Sequence, residues 1–362
     1  MPLTQSDVES ALRTLVDPNL DRDLVSARQV KKIEVEDSRV RVKVALGYPA
    51  AGFHAELKAL IEQKLRSEIG ATEVAVDVVT EILSHSVQKT LKPMPGVKNI
   101  IAIASGKGGV GKSTTTVNLA LALTAEGARV GILDADIYGP SQPLMLGISG
   151  RPDTEEGKRL IPMVAYGVQS MSIGYLVDED APMIWRGPMV TGALQQLLKD
   201  TRWDDLDYLL IDLPPGTGDV QLTLAQQIPV SGAIIVTTPQ DIALLDAQRG
   251  LQMFEKVGIP VLGIVENMSI HICSNCGHAE PIFGEGGGEK MARKYGVELL
   301  GSLPLDISIR KNADGGYPTV IAEPDSKPAQ IYKGVARKMA ARLALRAKDY
   351  SARFPTITVV ND

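Results

Sequence analysis

The segment 106–113, with the sequence GKGGVGKS, constrains this chain more than any other stretch. It satisfies the pattern G-x-x-x-x-G-K-S/T, and it lies between an aliphatic run and a helical pattern, which is the context that the pattern requires. Glycines let the backbone wind so that its N–H groups converge on phosphate oxygens, and the helix that follows adds positive potential. We expect Lys112 to reach the β- and γ-phosphates of a nucleotide and the Ser113 hydroxyl to ligate Mg²⁺. The predicted nucleotide-binding residues of this segment are Gly106, Lys107, Gly108, Gly109, Val110, Gly111, Lys112, Ser113 and Thr114.

Apolar runs alternate with helical patterns from residue 99 onward. The runs are short and aliphatic and lack polar alternation, as parallel strands covered on both faces do. Strands are predicted at 100–104, 130–134, 208–212, 233–237, 261–265 and 299–303. Helices are predicted at 112–125, 189–199, 242–257, 289–294 and 328–347. This order predicts a doubly wound, mostly parallel α/β fold for a P-loop NTPase domain over residues 99–350, followed by a tail at 351–362.

Residues 1–85 are predicted to form a separate, small α/β domain. Ser6 and Glu9 have the spacing of a capping box, which predicts a helix that ends near Val16. A half-buried hairpin is predicted from valines that alternate with charged residues, namely Val35, Val40, Val42 and Val44. A helix at 51–69 and a strand at 74–82 complete the domain. Residues 86–98 contain two prolines without apolar periodicity and are predicted to be the linker.

Aspartates end two further predicted strands of the large domain, at the edge where a doubly wound sheet binds its ligands. Asp134 and Asp136 follow the second strand, and the loop 137–143 after them resembles a switch that senses the γ-phosphate. Asp212 ends a strand with the form of a Walker B motif, where it would hold Mg²⁺ through water while Gly216 approaches the γ-phosphate. A single aspartate at a strand end is more often a turn former. Three of them behind a complete phosphate loop favour the metal-binding interpretation.

Both cysteines of the chain fall in one tetrapeptide, Cys273-Ser-Asn-Cys276, so a disulfide framework is excluded. Three interpretations remain open. The first is a zinc knuckle with His271 and His278 as the other two ligands. The second is a redox pair, although such a pair normally opens a helix and the glycine and proline that follow indicate a loop. The third, which we favour, is half of an iron–sulfur site, because a [4Fe–4S] cluster binds four thiolates and two chains supply four.

Charge and composition restrict the partners. Lysine and arginine number 38 against 43 aspartates and glutamates, and aromatic residues make up 4% of the chain. We therefore expect no nucleic-acid binding through a basic surface or through stacked aromatic side chains. The first 15 residues lack a basic and apolar leader, and no run approaches 18 apolar residues, so we expect a cytoplasmic protein that does not enter a membrane.

The loop contains a second lysine, Lys107, that the turn itself does not require. With it the segment reads K-G-G-x-x-G-K-S/T, which resembles the deviant Walker A motif of the nitrogenase iron protein, MinD and ParA class. In that class the first lysine reaches across a dimer interface to the nucleotide of the partner. The resemblance therefore implies a homodimer in which Lys107 is catalytic together with Lys112.

Residues 99 to about 345 resemble more particularly the Mrp/ApbC family of iron–sulfur cluster carrier ATPases. The shared motifs are GKGGVGKST (106–114), DADIYGPS (134–141), WRGPM (185–189), DLPPGTGD (212–219), ENM (266–268) and CSNC (273–276). The resemblance implies a carrier that holds a labile [4Fe–4S] cluster between two subunits and passes it to apo-proteins. It also implies a weak ATPase activity that is coupled to cluster loading or transfer.

The same resemblance assigns roles to individual residues. Asp136 would position or activate the attacking water, and Asp134 would support Mg²⁺ or its waters. Asn267 would read the adenine edge, which a side-chain amide can do because it both donates and accepts hydrogen bonds. Cys273 and Cys276 would bind the cluster.

Residues 1–85 resemble the small iron–sulfur assembly domain that often precedes this ATPase. Members of that domain that occur alone often carry a cysteine near the loop that corresponds to 47–51, and this chain has none there. We therefore expect the small domain to act in docking or regulation rather than in metal binding.

Two alternative functions remain. A MinD- or ParA-like positioning ATPase would need a terminal amphipathic helix for membrane attachment. The stretch 333–353 is basic and amphipathic, but further residues follow it, and the CxxC segment has no role in such a protein. The other alternative is an NTPase regulator that zinc stabilises.

Overall fold

The computed structural model of the protein describes residues 3–155, 157–177, 187–273 and 275–347. Three parts of the sequence-based predictions lie outside these residues. They are Trp185 and Arg186 of the WRGPM motif, the end of the basic stretch 333–353, and the tail 351–362.

The small N-terminal part contains two helices and a three-stranded sheet. Its elements are α1 (Gln5–Arg13), β1 (Val16–Asp17), β2 (Arg22–Asp23), β3 (Val30–Glu36), β4 (Arg39–Leu46), α2 (Ala51–Ile69) and β5 (Glu73–Thr80). Strand β4 pairs antiparallel with β3 and parallel with β5, and its valines Val40, Val42 and Val44 are buried. The predicted hairpin is therefore confirmed, and helix α2 has the predicted bounds.

The predicted start of the first helix is wrong. Thr4, not Ser6, is the N-cap of α1: its hydroxyl accepts a hydrogen bond from the Asp7 N–H at 3.3 Å, and the Asp7 carboxylate accepts the Thr4 N–H at 2.9 Å. Both pairs have the capping-box spacing, so the pattern alone does not distinguish them. The helix also ends at Arg13, because Val16 pairs with Asp23 in a short ladder.

The large part contains the remaining elements. Up to the middle of the sheet these are β6 (Val97–Ala104), α3 (Lys112–Ala125), β7 (Val130–Asp134), α4 (Gln142–Met145), β8 (Thr154–Glu155), β9 (Arg159–Leu160), β10 (Met163–Ala165), β11 (Val168–Ser172), α5 (Gly187–Asp200), β12 (Leu206–Asp212) and α6 (Asp219–Gln227). They continue with β13 (Gly232–Thr237), α7 (Asp241–Lys256), β14 (Val261–Glu266), β15 (His271–Ile272), β16 (Ala279–Glu280), α8 (Gly287–Tyr295), β17 (Leu299–Ser302), α9 (Ile307–Asp314), α10 (Thr319–Ala322) and α11 (Lys327–Ala344).

Eight strands form the main sheet in the order β10-β11-β7-β12-β6-β13-β14-β17, and every pair except β10–β11 is parallel. Alternate residues of β6 face two different cores. Ile101 and Ile103 pack in the core that contains α3 and α11, whereas Ile100 and Ala102 pack in the core that contains α5 and α7. The predicted doubly wound α/β fold is thus confirmed.

All six predicted strands of this sheet are present, with ends shifted by up to three residues. Strand β11 was missed by the sequence analysis because it contains two buried serines. The Ser170 hydroxyl lies 2.9 Å from the Tyr175 hydroxyl, and the Ser172 hydroxyl donates to Asp134 Oδ2 at 3.2 Å. Hydrogen bonds allow these polar side chains to be buried, which a search for apolar runs does not detect.

Helix α2 of the small part is capped by a residue of the large part. Its own N-cap, Ala50, has no side-chain acceptor, and instead the Gly52 N–H donates to Glu126 Oε2 at 2.9 Å. Glu126 is the C-cap of α3, is 3% exposed, and also forms an ion pair with Arg337 of α11 at 2.5 Å. The small domain is thereby attached to the end of the helix that begins at the phosphate loop.

Replacing Glu126 with alanine should lower the free energy of unfolding by roughly 2–4 kcal/mol, because the cap is lost and Arg337 loses its partner. Urea denaturation measures this change. Glu68→Ala is the matched control: Glu68 is half exposed in a surface pair with Lys64, and its loss should cost less than about 0.5 kcal/mol. Equal unfolding midpoints for the two variants would contradict the capping role.

Candidate functional site

The phosphate loop joins β6 to α3 and is closely packed at two glycines. Gly111, the N-cap of α3, has φ +81°, which lies in the left-handed region that favours glycine. At Gly106 a Cβ atom would lie 2.1 Å from the backbone carbon of Asp246 in α7. Along the loop, Lys107, Gly108 and Gly109 are exposed, whereas Val110 is buried. The loop therefore has the backbone freedom that phosphate binding requires.

Lys112 forms a buried ion pair with Asp212, the last residue of β12. The lysine is 6% exposed and the aspartate is fully buried. Asp212 Oδ1 also accepts the Thr116 hydroxyl at 3.2 Å, and Asp212 Oδ2 accepts the Gln142 amide at 2.9 Å. The phosphate-loop lysine and the Walker B aspartate thus lie side by side, although the chain separates them by 100 residues.

Asp134 lies opposite Asp212 on the neighbouring strand β7 and is fully buried. Its Oδ2 accepts hydrogen bonds from the Ser141 N–H at 3.0 Å and the Gln142 N–H at 3.1 Å, and its Oδ1 accepts the Asp136 N–H at 3.2 Å. Burial, and then the negative charge of Asp212, raise the pKa of Asp134 to about 7. Two buried carboxylates therefore face a single lysine.

Asp136 is half-buried at the start of the loop that leads to α4. Burial is the main cause that raises its pKa, and the positive charge of Lys112 opposes this effect. Beyond it, Tyr138 is 63% exposed, so this loop reaches the surface. On the other side of the site the Gly216 N–H donates to the Ser105 carbonyl at 2.9 Å, which places the loop after β12 beside the phosphate loop.

The oxygen atoms of this cluster suit Mg²⁺. Lys112 Nζ lies 3.2 Å from Ser113 Oγ and also bonds to Asp212, whose neighbour in the sheet is Asp134, so one hydroxyl and two carboxylates lie in one cluster, and Mg²⁺ prefers such hard oxygen ligands. Two further oxygens, Ser141 Oγ and Gln142 Oε1, are buried here without a hydrogen-bond partner in the described part of the chain. The residues present therefore fit a hydrated metal ion. No motif of the sequence points to Gln142 or Thr116 as a member of this cluster, although Gln142 lies in the loop 137–143 that resembles a switch.

Asn267 follows β14 and contacts the phosphate loop directly. Its side-chain amide donates to the Val110 carbonyl at 2.9 Å, and its backbone N–H donates to the Thr237 carbonyl at 2.7 Å. The predicted contact of Asn267 with adenine remains a prediction. The structure adds a hydrogen bond from the residue after β14 to the backbone of the phosphate loop.

The two cysteines lie in the turn of a short hairpin formed by β15 and β16. The Cys273 N–H donates to the His278 carbonyl at 2.9 Å, and the Gly277 N–H donates to the Cys273 carbonyl at 2.8 Å. Cys276 is exposed and Cys273 is half-buried. Hydrogen bonds from the backbone of Cys276 and Asn275 and from the Cys276 thiol lower the pKa of Cys273, which favours the thiolate form that binds metals.

The alternatives for the cysteines lose support. His271 Nδ1 lies 3.2 Å from the Leu305 carbonyl, and no group of three or more His, Cys, Asp or Glu side chains that could hold a metal ion occurs among the described residues. The described residues therefore do not assemble a four-ligand zinc knuckle within one chain. The cysteines also do not open a helix, as a thioredoxin-like redox pair would, because the next helix, α8, begins only at Gly287.

Asp134 should make stability depend on pH in an unusual direction. Its pKa is higher in the folded protein than its ordinary value of 3.8, so the folded state retains a proton that the unfolded chain has released. We therefore compare the free energy of unfolding of the wild type with that of Asp134→Asn. The difference, wild type minus variant, should fall as pH rises from about 5 to about 7, by at most about 1.4 kcal/mol per pH unit. Above that pH it should level off. Urea denaturation across this pH range measures it.

The comparison between the two proteins cancels titrating groups that do not interact with Asp134. His54, whose pKa burial lowers, acts with the opposite sign but is present in both. Parallel pH profiles for wild type and Asp134→Asn would exclude the proposed protonation of Asp134.

The mostly parallel sheet has a phosphate loop after β6 and a buried aspartate at the carboxyl end of each of the next two strands on one side, β12 and β7. This arrangement defines a P-loop NTPase. A family model described as NUBPL iron-transfer P-loop NTPase matches residues 96–340, and a second model, described as iron-sulfur cluster assembly protein, matches residues 5–78. The chain belongs to the NUBPL-type family of iron-transfer P-loop NTPases. The resemblance to Mrp/ApbC proteins and to the small assembly domain is thus confirmed.

Individual proteins support the same conclusion. The chain is 59% identical over 279 residues to the iron-sulfur cluster carrier protein of Pseudomonas fragi, a match that covers 76% of this chain and 97% of that protein. It is 53% identical over 342 residues to the iron-sulfur cluster carrier protein of Escherichia coli K12, covering 93% and 91%. Among solved structures, it is similar to a nucleotide-binding protein from Archaeoglobus fulgidus in complex with ADP, with a TM-score of 0.57 and 39% identity over 64% of this chain and 90% of that one.

Proposed function

We propose that this protein is an ATP-binding and ATP-hydrolysing carrier that holds a labile [4Fe–4S] cluster between two subunits and transfers it to apo-proteins. The observation that carries the proposal is the exposed hairpin with two thiols, which belong to no group of three or more His, Cys, Asp or Glu side chains that could hold a metal ion among the described residues. A [4Fe–4S] cluster binds four thiolates, so Cys273 and Cys276 of two chains together supply a complete set. The names of the similar carrier proteins support this cargo.

The nucleotide is bound by the loop 106–114. Lys112, now paired with Asp212, would exchange this carboxylate for the β- and γ-phosphate oxygens, and the bound Mg²⁺ would neutralise charge on those phosphates. Ser113, Asp134 and Asp212 are the residues that would hold the ion and its waters. Asp136 would orient the attacking water. The ADP complex of the similar Archaeoglobus protein supports nucleotide binding.

Lys107 and the end of β14 would couple the nucleotide to the cluster. Lys107 is exposed on the loop, and in this proposal it would reach the nucleotide of the second subunit. Five residues separate Asn267, which binds the loop, from Cys273. On the other side of the hairpin, Glu266 Oε2 accepts the Gly288 N–H of α8 at 2.5 Å. Both ends of the cysteine segment are therefore anchored next to the nucleotide site, so ATP would move the two hairpins together or apart.

The remaining parts of the chain have supporting roles in this proposal. Residues 1–85 form a docking or regulatory domain without a metal role, and the predicted linker 86–98, whose last two residues belong to β6 (Val97–Ala104), leads to the ATPase domain predicted at 99–350. Free thiols that bind a cluster suit the reducing cytoplasm. No helix in the described ranges is both long enough and apolar enough to span a bilayer.

Anaerobic reconstitution tests the proposal. We expect about four iron and four sulfide ions per dimer, and a dimer that forms or tightens with a non-hydrolysable ATP analogue, measured by light scattering. A protein that is monomeric in every nucleotide state, or that contains no iron under argon, would contradict the shared cluster. Stoichiometric zinc in a colourless protein would instead support the zinc-stabilised regulator.

A further inference from the structure

Gln142 lies at the centre of the polar cluster behind the phosphate loop. It is the first residue of α4, directly after the loop that begins at Asp136, and it is fully buried. Its side-chain nitrogen donates to the Ser113 carbonyl at 3.1 Å and to Asp212 Oδ2 at 2.9 Å, and its backbone N–H donates to Asp134 Oδ2 at 3.1 Å. One residue therefore contacts all three members of the predicted metal site.

The orientation of the carboxamide follows from its partners. A carbonyl and a carboxylate can only accept hydrogen bonds, so the group that faces both of them must be the NH₂ group. Both of its hydrogens are used in these two bonds. Gln142 Oε1 consequently lies on the other side, where it is buried and has no donor among the described residues.

A buried oxygen without a partner is unfavourable by about 1–3 kcal/mol, so the site is completed by a donor that binds there. The neighbouring Ser141 Oγ is buried and unpartnered as well. Mg²⁺ in nucleotide sites keeps several of its waters, and each water donates two hydrogen bonds. Such waters would supply donors to these two oxygens, which belong to the residues whose backbone N–H groups bind Asp134.

We infer that Gln142 is a positioning residue for the Mg²⁺–nucleotide complex: Oε1 accepts a hydrogen bond from a metal-bound water, and Nε2 holds the Asp212 carboxylate in place. This inference rests on the nucleotide-binding part of the proposed function. Only residues 137–141 separate Asp136 from Gln142. The contacts of Gln142 therefore also tie the position of this loop to occupancy of the metal site.

Equilibrium titration of a fluorescent ADP analogue, first in EDTA and then with increasing Mg²⁺, tests the inference. Gln142→Met keeps the length of the side chain but loses both polar groups. We expect it to bind the analogue in EDTA as the wild type does, and to need roughly five- to tenfold more Mg²⁺ for half of the metal-dependent tightening. Gln142→Glu keeps an acceptor and adds a negative charge that attracts Mg²⁺, but it loses the donor to Asp212, so its Mg²⁺ requirement should lie between that of Gln142→Met and that of the wild type.

Gln88→Met is the matched control. Gln88 is half-buried, and its amide donates to the carbonyls of Ala225 at 2.7 Å and Ile228 at 3.0 Å, with no contact to the nucleotide site. It should titrate as the wild type does.

The outcomes separate this inference from the proposed function. A wild-type protein that binds no ADP analogue would overturn the nucleotide site itself. If the wild type and Gln142→Met need the same Mg²⁺ concentration for half of the metal-dependent tightening, only the role of Gln142 would be overturned. Equal losses in Gln142→Met and Gln142→Glu, already present in EDTA, would show a role in folding and would overturn it as well.

Discussion

A Lys112→Ala variant is expected to hydrolyse ATP roughly 10²–10³-fold more slowly than the wild type, because it lacks the cation that faces charge developing on the γ-phosphate. The lysine is held for this task at the first turn of α3, where it is 6% exposed and where its ammonium group bonds to Asp212. Phosphate release at saturating ATP measures kcat. Hydrolysis at the wild-type rate by a folded variant would exclude the proposed role.

The same substitution also affects stability, and the two effects must be separated. Removing Lys112 leaves Asp212 and Asp134 buried without their cation, which should cost about 3–5 kcal/mol of unfolding free energy. Lys107→Ala provides the comparison, because Lys107 is exposed and its loss should leave the unfolding midpoint unchanged. If Lys107 acts across a dimer, Lys107→Ala nevertheless loses hydrolysis and nucleotide-dependent dimerisation. Retention of both would restrict the site to one subunit.

Cys273→Ser and Cys276→Ser are expected to reduce the iron bound after anaerobic reconstitution from about four per dimer to near zero. Serine is similar in size, but its hydroxyl stays protonated at neutral pH and does not replace a soft thiolate ligand. Asn267, which binds the phosphate loop, lies six positions before Cys273 and is unchanged in both variants, so nucleotide affinity should remain within about twofold. Iron and sulfide assays, with ADP binding on the same samples, measure both properties.

His278→Ala is the control that separates the cluster from zinc. The His278 side chain is exposed. The His278 backbone carbonyl, which the substitution keeps, accepts the hydrogen bond from the Cys273 N–H. A cluster held by four thiolates should survive this change with its iron content unaltered. Loss of metal in His278→Ala equal to that in Cys273→Ser would favour the zinc knuckle.

The errors of the sequence analysis have specific physical causes. The helix start was placed at Ser6 because Thr4–Asp7 and Ser6–Glu9 share one spacing, and only the hydrogen bonds decide between them. Strand β11 was missed because Ser170 and Ser172 interrupt its apolar pattern, and their partners lie elsewhere in the fold. The cap of α2 was also beyond local patterns, since it comes from Glu126, 74 residues away from Gly52.

Gln142 illustrates the same limit within the site. The sequence marks Ser113, Asp134 and Asp212 because each stands in a motif or at a strand end. Nothing in the neighbourhood of Gln142 indicates that its amide contacts Asp212, which is 70 residues away. That contact exists because β7 and β12 are neighbours in the sheet, and strand order is set by packing between distant elements.

The sequence alone determined the phosphate loop, the alternation of strands and helices, and the presence of two thiols per chain, because these depend on residues a few positions apart. Only the tertiary structure decided that Lys112 pairs with Asp212, that Asn267 binds the loop across 157 residues, and that Glu126 caps a helix of the small domain. Such contacts follow from which strands lie side by side and which helices cover them. They are therefore properties of the folded arrangement rather than of any local pattern.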